Sequence, residues 1–264
     1  MIRLHFVQHF IKHYWSATRI DVLHSPFVFK LYNTCIKRQP SQPELASIEA
    51  IRKKAVSNQQ LVSQHDFGAR RAERKVATRP ISHFAKHHAK PARISQIIFH
   101  LVKNYGYKNC IELGTSLGFT SMHIAKALQQ GGQLTTIEGA HEIAAAAEQH
   151  FITTETQNNI KQVVGNFDLA LPDVLNRYEQ VDFAFVDGNH TYEATKQYFN
   201  LLLSKTHNDS LIIIDDIYWS PGMTRAWKEI QQHERVSITV DLFYIGLVYF
   251  RKGQAKEHFK LRIF

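Results

Sequence analysis

A chain of 264 residues with 44% hydrophobic and 21% charged residues can bury one large α/β domain with a helical extension, and is too apolar for global disorder. Its net charge of +9 is uneven: residues 1–108 carry 19 Lys or Arg against 5 Asp or Glu, and residues 109–264 carry 13 against 18. No apolar run approaches the ~20 residues of a membrane-spanning helix, and the N-terminus lacks the pattern of a signal peptide. There are only two cysteines, Cys35 and Cys110, and Cys110 begins an apolar strand, which argues against a disulfide framework, so the expectation is a soluble cytoplasmic protein.

The first part reads as helices with irregular joints. Leu4, Val7, Phe10, Ile11 and Tyr14 fall at helical spacing. Ser25 is placed to cap a helix whose first residue is Pro26. Pro40 and Pro43 mark a break, and Glu44 to about Ser57 reads as another helix. The basic, polar stretch HDFGARRAERKVATRP, with Gly68 and a basic run at 70–75, reads as a mobile loop. A helix from Pro91 to about Tyr105 follows, with Ile94, Ile97, Ile98, Leu101 and Val102 on one face.

From residue 109 apolar runs alternate with helical stretches: NCIEL and FTSMHIAKALQQ, QLTTIE and HEIAAAAEQHF, IKQVVG and DLALPDVLNRY, VDFAFVD and TYEATKQYFNLLL, SLIIIDD and GMTRAWKEIQQ. Then VSITVDL and YIGLVYFR follow each other without a helix and read as an antiparallel pair. These seven strands predict an α/β fold with a doubly wound, mostly parallel seven-stranded sheet over 109–264, preceded by a basic helical N-terminal extension over 1–108.

Ligands of such sheets bind at the carboxyl ends of the strands. After the first strand comes Glu112, then the turn Gly114-Thr115-Ser116-Leu117-Gly118 and Thr120. The glycines permit a tight turn and a close helix start, but the spacing is not the GxGxxG of pyrophosphate binders. Glu138 ends the second strand, 20 positions after Gly118, where an acid can accept both hydroxyls of a ribose. Glu112 adds a charge that suits a cationic ligand group and would repel phosphates, which favours S-adenosylmethionine over a dinucleotide. Asn166 and Phe167, with Asp168, offer polar groups and a stacking face to an adenine; Asp168 could equally cap a helix.

Asp187 ends the fourth strand, and Asp215 and Asp216 end the fifth. Three carboxylates at neighbouring strand ends call for a hard divalent cation such as Mg²⁺, or else serve as helix caps. His190, three residues past Asp187, is the candidate general base, with a surface or structural histidine as the alternative. Tyr218 and Trp219 could wall an aromatic substrate or pack at the edge of the core.

Residues 109–251 resemble the class I S-adenosylmethionine-dependent methyltransferases, and within them the cation-dependent O-methyltransferases of the catechol and caffeoyl-CoA type. The pieces that carry the resemblance are IELGTSLGFTS, LTTIEG, GNFDLALP, FAFVDGNHTYE and IIIDDIYWSPG, in that order. The resemblance implies a Rossmann-like methyltransferase fold. It implies that Glu112, Gly114 and Ser116 line the methionine part of S-adenosylmethionine, with Thr120 nearby, and that Glu138 holds the ribose. Asn166 and Phe167 would border the adenine, with Asp168 beside them, and Thr115, Gly118, Gly139 and Asp187 would also belong to the cofactor site. Asp187, Asp215 and Asp216 fall on the family's metal positions. His190 falls where the catechol enzymes carry a catalytic lysine. Two departures stand out: Asp216 replaces the family's usual asparagine, and histidine is a weaker base than lysine, leaving proton removal more dependent on the metal.

The reading that follows is O-methylation of a small phenolic or catechol-like acceptor with divalent-cation assistance. The alternative is a tRNA-modifying methyltransferase acting on a hydroxylated base, for which the basic N-terminal part would supply phosphate contacts. A non-catalytic binding or membrane-surface role is a third reading, and a homodimer stays open.

Overall fold

A computed structural model describes residues 2–37, 42–65 and 76–263. The tip of the expected mobile loop, including Gly68 and the basic run at 70–75, lies outside the described residues.

Helix α1 (Ile2–Ser16) and helix α2 (Pro26–Leu31) begin the chain. The Ser25 hydroxyl accepts the Val28 N–H at 3.4 Å and Pro26 takes the first helical position, as the sequence predicts. A π-helical turn, Tyr32–Ile36, continues α2. Helix α3 (Ala46–Ala55) buries Ile48, Ile51 and Ala55 on one face. Strands β1 (Leu61–His65) and β2 (Val76–Pro80) then pair antiparallel, so the flanks of the expected loop are a two-stranded ribbon. Short helix α4 (Ile81–His87) follows directly after Pro80. Helix α5 (Ala92–Tyr105) buries Ile94, Ile97, Ile98, Leu101 and Val102 completely and ends at Gly106, whose φ of +66° favours glycine.

The alternating region runs β3 (Asn109–Leu113), α6 (Phe119–Ala127), β4 (Gln133–Glu138), α7 (His141–Thr153), β5 (Ile160–Val164), α8 (Phe167–Leu175), β6 (Val181–Val186), α9 (Tyr192–Leu203), β7 (Thr206–Asp215) and α10 (Pro221–Gln232). It closes with β8 (Ile238–Asp241), β9 (Ile245–Tyr249) and β10 (Glu257–Lys260). The chain forms two compact units, Met1–Lys37 with Leu175–Phe264, and Arg38–Val174.

In the second unit β3, β4 and β5 lie side by side and parallel, with Leu113 opposite Ile137 and Glu138 opposite Val164. In the first unit the order is β10-β8-β9-β7-β6; β6 and β7 are parallel, as are β8 and β10, while β9 runs antiparallel to both β7 and β8. The α/β, mostly parallel, helix-covered architecture is therefore the one expected. Beyond the seven strands expected, the first unit carries β10, whose polar sequence EHFK shows no apolar alternation and is recruited by pairing with β8. The core of the first unit includes Phe183, Phe185, Ile212, Ile213, Ile214 and Trp227, all buried. Trp227 lies so close to β9 that a Cβ on Gly246 would stand 2.5 Å from its ring.

Candidate functional site

The chain ends of β3, β4 and β5 build the first candidate cluster, inside the second unit. After β3, Gly114 (φ +98°), Ser116 (φ +48°) and Gly118 (φ +77°) take left-handed conformations within five residues. The N–H groups of Gly114 and Thr115 donate to the Ile137 carbonyl at 2.9 and 3.3 Å, folding this turn onto β4. Glu138, the last residue of β4, bridges two turns: its Oε2 accepts the Ser116 N–H at 2.8 Å and its Oε1 the Ala140 N–H at 2.9 Å, across Gly139. Ser116 is a non-glycine residue in a strained conformation, and the carboxylate fixes it there. The Gly165 N–H donates to the Glu138 carbonyl at 2.9 Å and brings in the third turn. There Asn166 Oδ1 accepts the Asp168 N–H at 2.8 Å, so Asn166, and not Asp168, caps α8; Asp168 lies exposed in the first turn, and Phe167 is half-buried.

Glu112 is fully buried. Its Oε2 accepts the Thr136 hydroxyl at 2.7 Å and the Ser121 hydroxyl, and Thr136 is 2.6 Å from the Thr115 hydroxyl. This hydroxyl chain joins Glu112 to β4, α6 and the turn, a tie that the reading of Glu112 as a partner for a cationic ligand does not include. Thr120 is buried on α6, its hydroxyl 3.5 Å from that of Ser95. Gly118 starts α6 against α7: a Cβ there would stand 2.4 Å from Phe151 Cε1.

The second cluster lies inside the first unit. Val186 pairs with Ile214 across the parallel strands β6 and β7, so Asp187 and Asp215 leave the sheet at the same level. Asp187, His190 and Asp215 each offer one ligand atom, and these atoms all lie within 4.8 Å of one another. His190 Nε2 is 3.5 Å from Asp187 Oδ1 and 3.9 Å from Asp216 Oδ2. Asp215 is buried, while Asp187, His190 and Asp216 are partly open to solvent. Asn189 (φ +54°) and Asp216 (φ +51°) hold left-handed turns that asparagine and aspartate tolerate best among residues with a Cβ. Two carboxylates, an imidazole and a third carboxylate beside them make a donor set that fits a divalent cation. Sequence reasoning placed His190 beside the carboxylates as a base; its proximity to both Asp187 and Asp215 also makes it a potential ligand, a signal present in the three-residue spacing after Asp187.

Tyr218 belongs to the core: it is buried, stacks on Phe243 and His9, and donates its hydroxyl to Asp241 Oδ2. Burial first, then the Asp241 charge, push its phenol above the ordinary range. Trp219, the next residue, is 46% exposed and keeps the substrate-facing alternative to itself.

The chain is similar to known methyltransferases. Residues 111–217 match the family model of a methyltransferase domain, Methyltransf_24, and that span holds both clusters. A 105-residue stretch is 29% identical to the transmembrane O-methyltransferase of Propithecus coquereli, covering 38% of this chain and 38% of that protein. The chain thus spans less than half the length of the curated relatives it matches. Among solved structures, the O-methyltransferase TomG of Streptomyces achromogenes, in complex with SAM, is 22% identical with a TM-score of 0.54, covering 62% of this chain and 82% of its own. The O-methyltransferase of Bacillus cereus, in complex with SAH, is 18% identical with a TM-score of 0.55, covering 88% of this chain and 100% of its own. These likenesses are of fold. The family match assigns a methyltransferase domain to residues 111–217 and no further. Among the described residues, no helix is long and apolar enough to cross a membrane.

Proposed function

We propose that this chain is a cytoplasmic S-adenosylmethionine-dependent O-methyltransferase that methylates a hydroxyl of a small phenolic or catechol-like acceptor with the help of a divalent cation. The observation that carries the cation-assisted reading is the grouping of Asp187, His190 and Asp215 within 4.8 Å at the ends of parallel strands. The names of the similar proteins support O-methylation, and the SAM and SAH complexes among the structural neighbours support the cofactor.

In this reading Glu138 accepts the two ribose hydroxyls while it keeps the Ser116 turn in place. Gly114 and Ser116 let the backbone approach the methionine part, with Thr115 and Thr120 behind them, and Asn166 and Phe167 border the adenine. When bound, the cofactor supplies a methyl group on a sulfonium and the cation supplies charge that lowers the acceptor hydroxyl's pKa. Asp187 and Asp215, with Asp216 beside them, are the carboxylates that would hold the cation. His190 takes the hydroxyl proton on whichever ring nitrogen carries no hydrogen. The remaining contribution is positional: an oxygen held in line with the methyl carbon gains the large effective concentrations of oriented reactants.

The test is a transfer screen with methyl-labelled cofactor against phenols, catechols, sugars and total tRNA, with Mg²⁺ and with EDTA. The proposal expects label in a phenolic or catechol acceptor and its loss in EDTA. Label in tRNA alone would replace it with the RNA-modifying alternative, and label that persists in EDTA would remove the cation.

A further inference from the structure

Helix α1 has two unlike faces. On one, His13 is buried with Nε2 3.2 Å from Asp241 Oδ1, and Phe6 and Phe10 meet the Phe243 ring edge-on at 4.9 and 5.0 Å. On the other, Leu4, Val7, Ile11, Tyr14 and Trp15 are 63, 51, 52, 46 and 78% exposed. Their spacings of three and four residues set them in one stripe about 100° wide. The sequence pattern therefore predicts the helix, and the structure shows that this apolar stripe faces outward.

Positive charge frames that stripe. Lys12 is exposed on one flank. On the other, the Arg262 guanidinium lies 4.0 Å over the Tyr14 ring and donates to the Tyr14 carbonyl. Burial first, then the charges of His5, Lys12, Lys228 and Lys260, lower the pKa of His9 on the same helix. The helix contains no acidic residue. Beside it lies a cavity of 240 Å³ lined by Phe10, Tyr14, Leu242, Phe243, Ile263 and Arg262. The Arg262 Nε–H is buried and has no hydrogen-bond acceptor among the described residues.

We propose that α1 seats the protein on an anionic phospholipid surface, with the stripe in the headgroup–acyl boundary and Arg262 on a lipid phosphate. An apolar stripe with a tryptophan and a tyrosine, bordered by cations, is the pattern of a helix that lies in a membrane interface. The charges select this occupant over a second copy of the chain. Isologous pairing through the stripe would set cationic flanks against cationic flanks, whereas an anionic lipid surface neutralises them.

The experiment is co-sedimentation of the whole chain with phosphatidylcholine vesicles, with and without phosphatidylglycerol, followed also by tryptophan fluorescence. Binding is expected to the anionic vesicles, weakening as salt is raised, with a blue-shifted component that disappears in Trp15→Phe. The double variant Val7→Asp/Ile11→Asp changes only exposed positions and should bind on the order of tenfold or more weakly at an unchanged melting temperature. Arg262→Gln should weaken binding several-fold. No sedimentation with anionic vesicles, equal binding to neutral ones, or wild-type binding by the double variant would overturn the proposal. So would a dimer in sedimentation equilibrium that Val7→Asp/Ile11→Asp dissociates, seen without vesicle binding, since the stripe would then belong to a second copy.

Discussion

The carboxylate of Glu138 accepts the backbone N–H of Ser116 at 2.8 Å, across the gap between the end of β4 and the turn after β3. Through this contact and its bond to the Ala140 N–H, one side chain at a strand end fixes two βα turns at once. A side chain so placed is rigid before any ligand arrives, which is what a binding site needs if it is not to spend affinity on ordering itself.

Gly118 sets how closely α6 approaches α7. With φ +77° and a Cβ position 2.4 Å from the Phe151 ring, Gly118→Ala strains the backbone and collides with a buried aromatic. A loss of about 2–4 kcal/mol in urea unfolding is expected. A loss below about 0.5 kcal/mol would show that α6 can shift freely.

The carboxylates of the second cluster should act on the cation. Asp187→Asn and Asp215→Asn are each expected to weaken Mn²⁺ or Mg²⁺ binding on the order of tenfold or more, measured by calorimetry or by Mn²⁺ paramagnetic resonance. Unchanged ion binding in both variants would remove the site.

His190→Asn separates proton removal from ligation. As a base, His190 should carry about two to four orders of magnitude in turnover while ion affinity changes by no more than a few-fold. A collapse of ion affinity in this variant would assign the imidazole to the cation instead.

His123 supplies a pH dependence. It is fully buried on α6, with Nδ1 2.7 Å from the Phe119 carbonyl, and burial lowers its pKa from the ordinary 6.5 to about 4. The unfolded chain therefore takes up this proton at higher pH than the folded one. The associated stability is intact above about 6.5, declines as pH falls, and is gone by about 4, a loss of roughly 3 kcal/mol. Urea titrations at a series of pH values should show this slope, and His123→Gln should flatten it relative to the parent. Parallel curves for the two proteins would contradict the buried neutral imidazole.

Much of this was legible because strand ends and apolar runs obey local rules. The runs NCIEL, QLTTIE, VDFAFVD and SLIIIDD are buried strands, and each ends within a residue of the acid that the sequence singled out. What stayed hidden depends on contacts distant in sequence. β10 is a strand because β8 offers it an edge. β1 and β2 are strands because they pair with each other, although their composition reads as loop. Tyr218 is committed to Asp241, 23 positions away, and nothing in IYWSPG announces it. The stripe of α1 shows the limit of periodicity, which gives the helix but not the direction its apolar side faces.

Calorimetry with S-adenosylhomocysteine on the parent protein, Glu138→Ala and Asp215→Asn tests the central claim most directly. The account predicts binding by the parent, affinity lower by roughly ten- to a hundredfold in Glu138→Ala, and near-parental affinity in Asp215→Asn. No heat at millimolar ligand, or equal binding by the parent and Glu138→Ala, would contradict it.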